Sequence, residues 1–147
     1  MKDAILAIDQ GTTGSTALLL DVDVRVIAQH NVEFPNHYPA PGLVEHDVAE
    51  IWTSVAQAVA GALAKAGAVR IVGIGITNQR ETTLLWDAET SQCVHNAIVW
   101  QDRRTSGYCT ELKQQAGLVE KIQDKTGLLL DSYFSATKIR WILNAVP

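Results

Sequence analysis

Apolar and polar positions at the start of the chain fall into strand-length blocks separated by small polar turns. Ile5, Leu6 and Ile8 lead to Asp9, a glycine-containing turn fills 10–15, and 16–20 runs back as a second strand. Asp21-Val22-Asp23 makes another tight turn and 24–33 reads as a third strand, so the chain opens as a three-stranded antiparallel meander. Segment 34–42, FPNHYPAPG, is a Pro-rich loop within the domain. Asp47 precedes Glu50 at capping-box spacing, and Ile51, Val55, Val59 and Leu63 follow until Gly67. This predicts one amphipathic helix, with Trp52 and the many alanines beside that stripe packed on the sheet. Residues 69–77, VRIVGIGIT, are apolar and β-branched enough for a strand buried on both faces, and the intervening helix implies a right-handed crossover onto a parallel neighbour. Short strands are expected at 84–86 and 97–100, joined by a polar turn at 87–92. Helices are expected at 105–116, 118–125 and 135–143. The sum is an α/β domain with a mixed sheet.

At 147 residues, 47% hydrophobic and 19% charged, the chain suits one globular core and one domain. Its formal net charge is −4, and Lys and Arg are dispersed apart from Arg103-Arg104, which argues against nucleic-acid binding. Asp3 and Asp9 interrupt the amino terminus where a signal peptide would need an apolar run, and no run reaches membrane-spanning length. A cytoplasmic protein without membrane insertion is expected. Cys93 and Cys109 read as reduced structural thiols, and His30, His37, His46 and His95 are too scattered for a zinc site.

Candidate chemistry gathers at the ends of the apolar runs. In AIDQGTTGST, Gly11 and Gly14 permit close backbone approach and positive φ. Thr12 and Thr13 offer hydroxyls, and Asp9 is a carboxylate suited to a hydrated Mg2+. The composition suits a nucleotide triphosphate, and it suits a plain hairpin equally. Neither GxxxxGK[ST] nor a dinucleotide glycine pattern is present. TNQRET, 77–82, lies at the carboxyl end of an apolar strand, where ligands of open α/β sheets collect. Arg80 and Glu81 can serve one pocket only if the backbone leaves strand geometry there, so an irregular turn is predicted; an ion-paired surface loop is the plainer alternative. Trp100, opening WQDRR, could shield the apolar edge of a small polyol or fill the core. Tyr133, within DSYFS, could offer a hydroxyl or anchor a helix start.

Taken together, AIDQGTTGST, PGLVEHDVAEIW, GIGITNQRETTLLWD, NAIVWQDRRT and TGLLLDSYFSATKIRWIL, in this order from near residue 5 to near 143, closely resemble the amino-terminal part of the FGGY carbohydrate kinase family. NQRET resembles its glycerol-phosphorylating branch rather than the xylulose- and gluconate-type relatives. The resemblance implies a ribonuclease-H-like (actin-like ATPase) domain, incomplete at the carboxyl end. It also implies transfer of the ATP γ-phosphoryl group to the 3-hydroxyl of glycerol, with Mg2+, between two domains that close on the substrates. By that likeness Arg80, Glu81 and Tyr133 hydrogen-bond glycerol and Trp100 packs on its carbons. Asp9 organises metal and phosphates, and Gly11, Thr12 and Thr13 contact the transferring phosphate, with Ser15 and Thr16 completing the phosphate turn.

Two departures bear on these roles. The family's turn usually reads DQGTTSSR, whereas Thr16 stands here in place of the Arg, removing a bidentate cationic contact. The general-base Asp, the adenosine pocket and the second domain would lie beyond Pro147. Residues 1–147 are therefore expected to form part of the amino-terminal domain, without a catalytic residue of their own and inactive alone. Glycerol and MgATP are the expected partners, with homo-oligomerisation left open. The alternatives are a kinase for another polyol or sugar, or a non-catalytic truncated binding module.

Overall fold

The computed structural model describes residues 1–146. In chain order the elements are β1 (Lys2–Gln10), β2 (Gly14–Leu20), β3 (Val26–Glu33), β4 (Glu45–His46), α1 (Val48–Ala66), β5 (Val69–Asn78), β6 (Ala97–Ile98), α2 (Ser106–Lys113), α3 (Leu118–Thr126) and α4 (Ser135–Ala145). They divide between two compact units: Met1–Asn36 with Asp47–Gln79, and His37–His46 with the residues from Arg80 onward.

The first unit is a four-stranded mixed sheet, order β3-β2-β1-β5, under α1. β1, β2 and β3 form the expected antiparallel meander, and β5 runs parallel to β1. Asp47 caps α1 by accepting from Ala49 N–H at 2.7 Å and Glu50 N–H at 3.3 Å, and Gly67 ends the helix at φ 71°. The core joins Ala4, Leu6, Ala17, Leu19 and Ala28 of the sheet to Ala58 and Ala62 of the helix.

Two expectations about packing are corrected. The alanines do pack on the sheet, the helix burying Ala58 and Ala62 together with Ser54, but Trp52 does not: it is 71% exposed. Small side chains win the sheet-facing position because they let the helix come close. A Cβ on Gly61 would overlap the His30 ring of β3. Likewise β5 is not buried on both faces: it is an edge strand, with Val72 53%, Ile74 63% and Ile76 74% exposed. Helix α1 lies over β2 and β3 and scarcely reaches β1, so Leu6, Ile8, Ile74 and Ile76 with Trp52 and Val55 line an open apolar groove of about 720 Å³.

In the second unit β4 and β6 pair antiparallel, extended by isolated bridges His37–Glu45 and Thr83–Ile98. The strand expected at 84–86 does not form; Trp86 makes only a bridge to Cys93, because Asp87 closes the chain on itself by accepting from Glu89 N–H, Thr90 N–H and the Thr90 hydroxyl. The strand expected at 97–100 shortens to Ala97–Ile98, and the three helices form close to their expected positions. Arg104, its side chain 4% exposed, bridges Glu45 at 2.7 Å and Asp102 at 2.9 Å beneath β4 and β6. Burial works against its charge, yet the hydrogen bonds to Asp102 and Glu45 hold its pKa above the ordinary arginine value. Among the described residues no helix is long and apolar enough to cross a membrane.

Candidate functional site

Asp9 lies near the carboxyl end of strand β1, and the chain reverses through 11–13, with Gly11 N–H donating to Gly14 O at 2.9 Å. Neither Gly11 nor Gly14 adopts positive φ, contrary to expectation. Gly14 is required by proximity instead: a Cβ there would stand 2.8 Å from the Val32 carbonyl oxygen. Thr13 is exposed, Gly11 and Thr12 half-buried, and the Thr13 carbonyl accepts from Phe34 N–H at 3.3 Å.

Strand alternation then divides the rest of the turn. Ser15 faces α1, wholly buried, its Oγ 2.7 Å from Ser54 Oγ. Ser54 donates its proton to Ile51 O, which makes Ser15 the donor between the two hydroxyls. Ser15, expected in the phosphate turn, thus has its hydroxyl engaged at the helix–sheet interface. Thr16 lies on the opposite face and accepts from Asn31 Nδ2 at 2.9 Å. Register places Thr77, Asp9, Thr16 and Asn31 side by side across β5, β1, β2 and β3, a polar row on one face. Sequence reasoning missed Asn31 and grouped Thr77 with TNQRET; both enter the row through cross-strand register.

Asp9 is exposed, and among the described residues no group of three His, Cys, Asp or Glu gathers to cage a metal. A lone carboxylate flanked by hydroxyls supplies hard oxygen donors. That set fits Mg2+, which keeps water and phosphate among its ligands, and does not fit a soft or fully caged ion.

In the second unit the chain leaving β5 turns sharply. Glu81 has φ 63°, the left-handed region, so the predicted irregular turn is present. Its Oε2 accepts from Ser135 N–H at 3.0 Å and from the Ser135 hydroxyl at 2.7 Å, at the first turn of α4. Its carbonyl accepts from Lys138 Nζ at 2.8 Å and Thr83 Oγ1 at 3.2 Å. The same Nζ donates to Tyr133 O at 2.6 Å. Tyr133 meets Trp100 edge-on, ring centroids 5.8 Å apart, and Phe134 at 5.1 Å. A cavity of about 270 Å³ opens among Trp100, Gln101, Arg103, Asp131, Ser132 and Tyr133.

Glu81, Trp100 and Tyr133 are thus drawn together through α4 and the loop before it, whereas Arg80 projects into solvent outside this network. The Glu81 carboxylate bonds to Ser135 rather than pairing with Arg80. Lys138 was missed, although Phe134, Lys138 and Ile142 recur at spacing four and place a lysine in the apolar stripe of α4. Burial lowers its pKa to about 8 against the opposing carboxylates of Glu81, Asp102 and Asp131.

Residues 4–147 match the model of the FGGY family of carbohydrate kinases, N-terminal domain. The chain belongs to this family. It is 57% identical over 145 residues to a glycerol kinase of Burkholderia vietnamiensis, covering 97% of the chain and 29% of that relative. With a glycerol kinase of Petrotoga mobilis it shares 55% over 148 residues, 99% of the chain and 30% of the relative. Among solved structures, Plasmodium falciparum glycerol kinase with ADP superposes at a TM-score of 0.92 with 35% identity, covering 99% of this chain and 29% of that one. Gluconate kinase from Lactobacillus acidophilus superposes at 0.89 over 98% of this FGGY chain and 29% of its own, at 22% identity, a likeness of fold alone. The meander and mixed sheet are those of the actin-like ATPase fold of the FGGY kinases. The chain spans somewhat under a third of the length of the relatives it matches.

Proposed function

We propose that this chain supplies the glycerol-binding and phosphate-turn portion of an ATP:glycerol 3-phosphotransferase, acting in the cytoplasm. The observation that carries this reading is the 57% identity, over 145 residues, to a relative named glycerol kinase. The local geometry supports it. Ser135 engages Oε2 of Glu81, orienting the carboxylate and leaving Oε1 to accept from a substrate hydroxyl. Trp100 and Tyr133 offer a ring face and a phenolic hydroxyl beside the cavity, the mixture of apolar and polar contacts a three-carbon polyol requires. Arg80, exposed beside Glu81, supplies donors to a further hydroxyl. On the first unit, Asp9 with Gly11, Thr12, Thr13 and Thr16 form the phosphate turn. Mg2+, held from Asp9, would screen the charge of the transferring phosphoryl group.

Calorimetric titration of the chain with glycerol, gluconate, xylulose and MgATP tests the reading. Glycerol should be the preferred polyol, and Glu81→Gln should weaken it about 10- to 150-fold, since a hydrogen bond to a charged group contributes about 1.5–3 kcal/mol. Equal binding of gluconate or xylulose refutes the substrate assignment.

A further inference from the structure

Lys138 is fully buried on α4, yet its stem and charge occupy a place where Leu or Met would pack without desolvating an ammonium. What the ammonium does there is bind two carbonyls, those of Glu81 and Tyr133. Glu81 needs such a partner. A non-glycine residue stays in the left-handed region only when its surroundings fix it. Its carboxylate is held by Ser135 and its carbonyl by Lys138, residues three apart on one face of α4, so a single helical turn grips both ends of Glu81.

We infer that Lys138 is a positioning residue of the polyol site: its ammonium ties the backbones of Glu81 and Tyr133 to one turn of α4 and so fixes the spacing of the groups that meet the ligand. The inference rests on the polyol reading for its purpose and on the carbonyl contacts for its geometry. The group titrates within reach of experiment, with Glu81, Asp102 and Asp131 as the carboxylates facing it.

The test is amide and lysine side-chain NMR on the 147-residue chain, with glycerol calorimetry. In wild type, titration from about pH 6.5 to about 9.5 should show the amide signals of Glu81, Thr82 and Phe134 inflecting together with the Lys138 methylene beside its nitrogen. Flat amides while Lys138 titrates overturn the clamp. Lys138→Met should shift those amides, leave those of β1–β3 in place, and weaken glycerol at least tenfold; n-propylammonium should restore affinity to Lys138→Ala. A folded Lys138→Met with wild-type glycerol affinity overturns the inference. If wild type shows no glycerol response, the polyol reading fails, and the coupled titration alone upholds or overturns the clamp. If the variants do not fold, the wild-type titration decides.

Discussion

Arg104→Met tests whether the charged centre of the second unit is structural. The guanidinium donates from Nε to Asp102 Oδ1 at 2.9 Å and from Nη2 to Asp102 Oδ2 at 2.9 Å and Glu45 Oε1 at 2.7 Å, and its carbon lies 4.5 Å from the Trp141 ring centroid. Methionine keeps much of the packing and removes the charge. Asp102 then retains the N–H groups of Val44 at 2.7 Å and Arg104 at 2.8 Å and the nearby charge of Lys138, and Glu45 retains Asn96 Nδ2 at 3.0 Å with His95 at 3.8 Å. Two carboxylates, with side-chain exposures of 0% and 9%, lose their shared cation. Breaking a buried pair from one side costs about 3–5 kcal/mol. The remaining donors place this case near the lower end, at about 3 kcal/mol. Urea unfolding followed by tryptophan fluorescence reads it, since Trp141 sits against the substituted residue. Asp102→Asn combined with Arg104→Met should cost less than the two single changes summed, because the second substitution removes a charge the first has left unpaired. A loss below about 1 kcal/mol for Arg104→Met, the range of exposed pairs, refutes the assignment.

Two further substitutions probe the first unit. Gly61→Ala should destabilise it by about 1–3 kcal/mol, because the new methyl overlaps His30 and forces α1 or the ring to move; a thermal midpoint equal to wild type would contradict the close helix–sheet approach. Asp47→Ala should cost about 1 kcal/mol through loss of the cap to Ala49 and Glu50, and an unchanged denaturation midpoint would count against that cap.

The meander was legible because its signals are local: polar turns at 10–15 and 21–23 separate apolar runs, and Asp47 and Gly67 mark both ends of α1. So was the sheet-facing role of the α1 alanines. The exposure of Trp52 was not: the small side chains of Ser54, Ala58 and Ala62 take the closest approach to the sheet, which hydrophobicity does not register. An apolar run such as VRIVGIGIT also reads alike at an edge and at a centre, since burial on its second face depends on residues elsewhere. At the candidate site, Glu81, Trp100 and Tyr133 announced themselves by residue type at the ends of apolar segments. Lys138 did not, because a lysine in a helix reads as solvent-facing until the carbonyls it serves are in place. The face to which the strand turns Ser15 was not legible either, since it depends on where α1 packs.

The open apolar groove between α1 and β5 changes how this molecule reports on itself. A dye such as ANS lights up on exposed hydrophobic surface, and that signal is ordinarily read as loosened tertiary packing. Here Trp52, Ile74 and Ile76 present such a surface beside an intact core. Bright dye fluorescence will therefore accompany the native state, so a sharp near-ultraviolet dichroism band, rather than darkness to the dye, is the sign that the chain is properly folded.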